Sequence, residues 1–297
     1  MDSAWDIAVV LDADWNPAPD GVAAAQRRFR PKLHRFAGGE IHVQLPDFPA
    51  SAQRVLLAQR VNSSDNLLEL LLAADAVRGA APEATLDLFM PYIPYARQDR
   101  RMVPGDPLSI RVFAKLINAC GFGQVLVLDP RSDVAPALID RCQGCSVHHH
   151  VAAALQRTGA TKVVIPDAGA AKRVHGIMDR IDGGSDIQAI QAMKTRDVRN
   201  KGAITGMSLA EGPNVTGESC LIVDDICDGG RTFLELSKLL RRHGAAAVHL
   251  YVTHGIFSHG LAGLLSCSEA EGRLDCVATT NSIRGLPPTE RLLQFGI

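Results

Sequence analysis

Short runs rich in Val, Ile and Leu recur along the chain with little polar alternation inside them. They lie at Arg54–Gln59, Thr85–Pro91, Gln124–Asp129, Lys162–Pro166, Cys220–Asp224, Ala247–Thr253 and Asp275–Thr279. Runs of this kind predict strands covered on both faces, as in parallel sheets. Helical patterns fall between them. Asp106-Pro107 reads as an N-cap and a first-turn proline; Leu108, Val112, Phe113, Leu116 and Ile117 then recur at helical spacing, and Gly121 ends the run. A second helix is predicted from Asp65, with Leu68, Leu71 and Leu72 on its apolar side. A third follows Gly230, with Leu236, Leu239 and Leu240, and stops at His243-Gly244. Strands alternating with helices predict an α/β fold with mainly parallel sheets. The rhythm runs twice, and each half holds an apolar strand ending in aspartate, at Asp129 and at Asp224. Two similar domains meeting near residues 143–150 are therefore expected.

Composition narrows the function classes. At 297 residues and 46% hydrophobic, the chain has ample material for a packed core. A net charge of -1 gives no electrostatic case for binding nucleic acid or an anionic membrane. No apolar run reaches the roughly 20 residues that span a bilayer, and the opening MDSAWDIAVV does not read as a secretory leader. Seven cysteines are scattered through apolar surroundings. An odd, scattered set reads as reduced thiols in a cytoplasmic protein. Cys142 and Cys145 form a lone CxxC near His148, His149 and His150. This is either a zinc site or, on the blander reading, a polar domain boundary.

The segment CLIVDDICDGGRTF, Cys220 to Phe233, carries the strongest local signal. A strand ends in two carboxylates, a loop with two glycines follows, and a helix begins. Ligands of parallel α/β sheets sit at the carboxyl ends of strands. Glycines allow close approach of backbone to a phosphate, and the helix N-terminus offers N–H donors. Thr232 adds a hydroxyl. An ordinary strand-to-helix turn is the structural alternative. The segment resembles the phosphoribosyl-diphosphate loop of type I phosphoribosyltransferases through Asp224, Asp225, Asp228, Gly229, Gly230 and Thr232; Arg231 stands where glycine is commoner.

Four more segments resemble the ribose-phosphate diphosphokinase (phosphoribosyl-diphosphate synthetase) family, in the family's order. FAGGEIHVQL matches at Phe36, Gly39 and Glu40, with Gly38 where the family has an acidic or amide residue. PYIPYARQDR, at Pro91–Arg100, is close to the family's signature and supplies Arg97 and Gln98. VVIPDAGAAKR, at Val163–Arg173, carries Asp167, which otherwise reads as a helix cap. MKTRDVRNKG, at Met193–Gly202, carries Lys194 and Arg196 at the spacing of the family's flexible catalytic segment. THGIFSHG and TTNSI, from Thr253 and Thr279, continue the order.

The resemblance implies two type I phosphoribosyltransferase-like domains, residues 1–146 and 147–297, each a mainly parallel sheet flanked by helices, with the last residues packing back on the first domain. It implies transfer of diphosphate from ATP to the anomeric hydroxyl of ribose 5-phosphate, giving 5-phosphoribosyl 1-diphosphate and AMP. Phe36, Gly38, Gly39, Glu40, Arg97 and Gln98 would bind ATP. Asp224, Asp225, Asp228, Gly229, Gly230, Arg231 and Thr232, with Arg196, would bind ribose 5-phosphate. Lys194 and Arg196 would be catalytic, and Mg2+ would lean on Asp167 or Asp129. A cytoplasmic homo-oligomer built from dimers, up to a hexamer, is implied as well.

The chain departs from the family at Asp129-Pro130-Arg131, where a metal-contacting histidine is usual. Arginine stays protonated and offers no lone pair. Three readings follow: Arg131 grips an ATP phosphate, Asp129 or Asp133 holds the metal instead, or the chain is a weak or inactive regulatory homologue. A phosphoribosyltransferase is the further alternative, accounting only for the loop around Asp224.

Overall fold

Two compact units make up the chain. The first holds the described residues up to Cys145 together with Ser282–Gly285 and Gly296–Ile297; the second holds Ser146–Asn281 and Leu286–Phe295. The structure is a computed structural model, and it describes residues 5–17, 25–197, 203–210 and 214–297.

Unit 1 contains β1 (Ile7–Val10), β2 (Arg27–Phe29), β3 (Lys32–Arg35), β4 (Ile41–Gln44), β5 (Arg54–Ala58), α1 (Ser64–Ala80), β6 (Thr85–Phe89), α2 (Ser109–Ala119), β7 (Val125–Leu128), α3 (Val134–Leu138) and β8 (Cys142–Cys145). Six of its strands form one parallel sheet in the order β2-β1-β5-β6-β7-β8, and β3 and β4 form a separate antiparallel hairpin.

Unit 2 contains α4 (His148–Thr158), β9 (Lys162–Ile165), α5 (Ala168–Met178), β10 (Gln188–Asp197), β11 (Ala203–Leu209), β12 (Ser219–Cys227), α6 (Arg231–Arg242), β13 (Ala247–Gly255), α7 (Ala262–Leu265), β14 (Cys276–Thr280) and β15 (Leu292–Phe295). Its sheet runs β11-β10-β9-β12-β13-β14-β15, parallel throughout except for the antiparallel β10–β11 pair. No helix among the described residues is long and apolar enough to cross a membrane.

All seven apolar runs are strands, and their interiors are buried throughout, as in β5, β7 and β13. Each fully buried Val, Leu or Ile contributes about 1.5–3 kcal/mol. Strands with polar or mixed sequence carry no such signal. β3 is exposed at every position, and β10 reads QAIQAMKTRD. The CxxC pair forms the edge strand β8. Burial pushes both its thiols up to about 11, and no cluster of three or more His, Cys, Asp or Glu among the described residues is grouped to hold a metal ion.

Both α1 and α2 depart from the pattern expected of them. In α2 the buried positions are Ile110, Phe113, Ala114 and Ile117, while Val112 and Leu116 are exposed. The helix is apolar on more than one stripe, and the sheet takes the i, i+3, i+4, i+7 set. Asp106 does not cap it; its carboxylate accepts from the backbone N–H groups of Met102 (3.2 Å) and Val103 (3.0 Å). In α1 the cap is Ser63, accepting from Asn66 at 3.1 Å. Its buried face is Leu70, Ala73, Ala74 and Val77, with Leu68 outside. The nearly unbroken apolar run from Leu67 to Ala74, interrupted only by Glu69, hides which face docks.

Candidate active site

Unit 2 gathers its polar groups at the carboxyl edge of the parallel sheet. β12 is buried from Cys220 to Val223 and then delivers Asp224 and Asp225. Asp225 is buried, and Asp224 is nearly so. Asp224 accepts a hydrogen bond from Arg173 Nη2 at 3.0 Å, across from α5, and one from the Asp225 backbone N–H at 2.9 Å. Burial, and then the neighbouring Asp225 carboxylate, push the Asp224 pKa up to about 7 against the opposing pull of Arg173. Buried carboxylates at a strand end favour hydrogen-bond donors or a cation as ligands.

Beyond the acids, β12 runs on to Cys227, whose thiol burial raises to about 12, so it stays protonated. Asp228 and Gly229 then lead to Gly230, the N-cap of α6, with φ +78°. A β-carbon there would also lie 2.5 Å from Leu264 Cδ2, so both backbone and packing require glycine. Phe233 and Leu234 donate to the Gly230 carbonyl at 3.0 and 3.2 Å and close the first turn. The earlier N–H groups of a helix have no partner within it, which suits them to an anion. On the neighbouring strand, Thr253 and His254 are buried, and the Thr280 hydroxyl donates to the Thr253 carbonyl at 2.7 Å.

Asp167 stands at the end of β9, which pairs with β12 through Ile222↔Val164, so Asp167 shares one sheet edge with Asp224 and Asp225. Its side chain caps α5, accepting from Ala170 N–H at 3.2 Å. The cap and a ligand role are compatible, because a carboxylate accepts several hydrogen bonds or ligands. Lys194 and Arg196 lie on β10, opposite Met207 and Ile204 of β11, with a register shift between Thr195 and Arg196. Their side chains, and residues 198–202 of the same segment, lie outside the described residues.

In unit 1, Phe36–Glu40 is the tip of the β3–β4 hairpin. Phe36 N–H donates to Glu40 O at 2.9 Å and Gly39 N–H to Phe36 O at 2.8 Å; Gly39 has φ +95°. The Phe36 ring is about half exposed and flanked by His34 and His42, with centroids 4.9 and 5.8 Å away. Arg97 and Gln98 are exposed on the loop after β6. Asp129 is buried with φ +40°, and Arg131 is exposed just beyond it.

Residues 24–121 match the family model described as the N-terminal domain of ribose phosphate pyrophosphokinase, and residues 145–260 match the phosphoribosyl transferase domain. The ribose-phosphate pyrophosphokinase of Cereibacter sphaeroides is 30% identical over 268 residues, covering 86% of this chain and 76% of that protein. The chain belongs to the ribose-phosphate pyrophosphokinase family. A second relative, the ribose-phosphate pyrophosphokinase of Ureaplasma parvum, is 31% identical over 236 residues, 77% of this chain and 68% of that one. The fold is that of phosphoribosylpyrophosphate synthetase from Mycobacterium smegmatis, with a TM-score of 0.70 at 22% identity over 98% of this chain and 94% of the other.

Within this ribose-phosphate pyrophosphokinase framework, one edge of unit 2 brings together Asp167, Asp224, Asp225 and the loop Asp228–Thr232. Phe36, Gly38, Gly39, Glu40, Arg97, Gln98 and Asp129 belong to unit 1. Sequence reasoning missed Arg173. Its signal was present in the last letter of VVIPDAGAAKR, but only the folded helix α5 shows that the guanidinium reaches Asp224.

Proposed function

We propose that the protein transfers the diphosphate of ATP to the anomeric hydroxyl of ribose 5-phosphate, forming 5-phosphoribosyl 1-diphosphate and releasing AMP. The ribose O1 forms a bond to the β-phosphorus, the bond from the β-phosphorus to the oxygen of the α-phosphate breaks, and the O1 proton leaves to solvent or a nearby base. Positioning and charge neutralisation carry most of such a transfer. The observation that carries the reading is the paired Asp224 and Asp225 beside a glycine loop at a helix N-terminus. The carboxylates accept from sugar hydroxyls, and the loop Asp228–Thr232 receives the 5-phosphate.

Phe36 offers an exposed ring for a nucleobase to stack on, and Gly38, Gly39 and Glu40 shape that hairpin tip. Arg97 with Gln98 binds ATP phosphates, a role suited to the guanidinium fork. Lys194 and Arg196 stabilise charge on the transferring group. Magnesium takes one or two carboxylates plus phosphate oxygens and water rather than an all-protein cage. The carboxylates at the strand ends fit that demand, with Asp167, or Asp129 in unit 1, as its protein ligand, and it supplies charge neutralisation on the ATP phosphates. Seven free cysteines support a reducing, cytoplasmic setting. Assembly with further copies of the chain, in a dimer-based oligomer, belongs to the same reading.

The test is AMP release from ATP and its dependence on the sugar. AMP appearing only when ribose 5-phosphate is added supports the reading. Sugar-independent hydrolysis, or exchange of a base with the ribosyl diphosphate without ATP, would replace it with a nucleotidase or a phosphoribosyltransferase. No turnover alone, but altered turnover of an active relative on mixing, would make the chain regulatory.

A further inference from the structure

We infer that His259 is a phosphate-binding residue of the ribose 5-phosphate site, completing the Asp228–Thr232 loop from a second segment of chain. This rests on the reading of that loop given above.

Gly229 is exposed, and the space beside its backbone is taken by the His259 ring. A β-carbon on Gly229 would lie 3.2 Å from His259 Cδ2 and 3.5 Å from Nε2. The Nε2–Cδ2 edge of the imidazole therefore faces the loop, close enough that a β-carbon at position 229 would press on it. The turn carrying the ring is tied to the base of the same loop. Ile256 and Phe257 N–H groups both donate to the Cys227 carbonyl, at 2.9 and 3.1 Å, and Gly260 N–H donates back to Phe257 O at 2.8 Å. Phe257 is 1% exposed, with a left-handed φ of +46°, so it anchors the turn in the core while His259 stays in solvent. Leu264, just downstream, packs on Gly230.

The loop itself is poor in side-chain donors. Gly229 and Gly230 have none, leaving Thr232 and Arg231. An exposed, pre-positioned imidazole supplies a donor, since Nε2 carries a proton in one neutral tautomer and both nitrogens do in the charged ring. Hydrogen bonds to a phosphate dianion are charge-assisted and correspondingly strong. The ligand chemistry this recognises is a phosphate monoester, so His259 favours ribose 5-phosphate over ribose.

The experiment is calorimetric binding of ribose 5-phosphate to the full-length protein and its variants, with inorganic phosphate as competitor, alongside the kcat and KM of turnover. His259→Ala should weaken ribose 5-phosphate about tenfold, the size of one charge-assisted hydrogen bond. Binding of ATP and kcat at saturating sugar phosphate should stay unchanged. His259→Lys should recover most of the loss, and His259→Phe should not. Unchanged binding in His259→Ala, or full binding in His259→Phe, would overturn the inference and leave the diphosphokinase reading standing. Failure of the unaltered protein to bind ribose 5-phosphate at all would overturn both.

Discussion

Arg173 Nη2 of α5 lies 3.0 Å from Asp224 Oδ1 of β12, with both side chains 14% exposed. The pair links the two strand-to-helix segments of unit 2 that carry its acidic residues. Removing Arg173 withdraws the cation that favours the ionised Asp224, and the buried carboxyl then keeps its proton to higher pH, at a cost on the order of 1–2 kcal/mol. Arg173→Ala should therefore lower stability by that order in a denaturant titration and raise the KM for ribose 5-phosphate. Adding Asp224→Ala to Arg173→Ala should cost less than the sum of the two single changes, because both remove the same direct contact.

The same pair sets a pH dependence. The Asp224 pKa is raised from 3.8 to about 7, first by burial and then by Asp225. A carboxyl with a raised folded pKa holds its proton more tightly in the folded state than in the unfolded chain. Its contribution thus favours the ligand-free fold at low pH, declines as pH rises above 3.8, and levels off above about 7. Sugar hydroxyls donate more strongly to the ionised form than to the neutral carboxyl. Binding of ribose 5-phosphate should tighten between pH 6 and pH 8, and the part of that change lost in Asp224→Asn, measured by calorimetry, is the part due to Asp224.

Gly230 is held by two constraints, φ +78° and the contact with Leu264. Gly230→Ala should destabilise the loop and raise the KM for ribose 5-phosphate about tenfold or more, equivalent to about 1.4 kcal/mol. Leu264→Ala in the same chain should relieve the clash but not the backbone strain, so steady-state kinetics should show only partial recovery.

Legibility largely followed burial, with one exception: β1, Ile7–Val10, is buried at all four positions, yet its run is too short to stand out beside the polar residues that precede it. Strands such as β7 and β12 are continuous apolar runs because both faces are covered, and the period-free pattern reveals them. The β3–β4 pair is largely polar and the β10–β11 pair is mixed, so no continuous apolar run marks them as strands. Asp224 and the Gly230 loop were visible because acids, glycines and threonine fall within one short segment, Asp224 to Thr232. Arg173 and His259 were not, because each joins the site from a different segment through a contact that only the sheet order creates. The two exposed residues of α2, Val112 and Leu116, show the converse limit: helical spacing counts apolar positions but does not say which stripe the sheet will take.

Lys194→Ala and Arg196→Ala should each lower kcat by about 10²–10³, the scale of losing one donor to developing charge. Rapid-quench measurement of the transfer step should show this while the ATP dissociation constant moves little. Phe36→Ala should instead raise the KM for ATP and leave stability within about 0.5 kcal/mol, since the ring is half exposed.

The central claim is tested most directly by phosphorus NMR of the purified protein with ATP, magnesium and ribose 5-phosphate. The account predicts a new ribosyl diphosphate signal growing with an equal amount of AMP, and no growth when the sugar phosphate is omitted. Unchanged ATP, or ATP converted to ADP and inorganic phosphate without a ribosyl diphosphate, would contradict it.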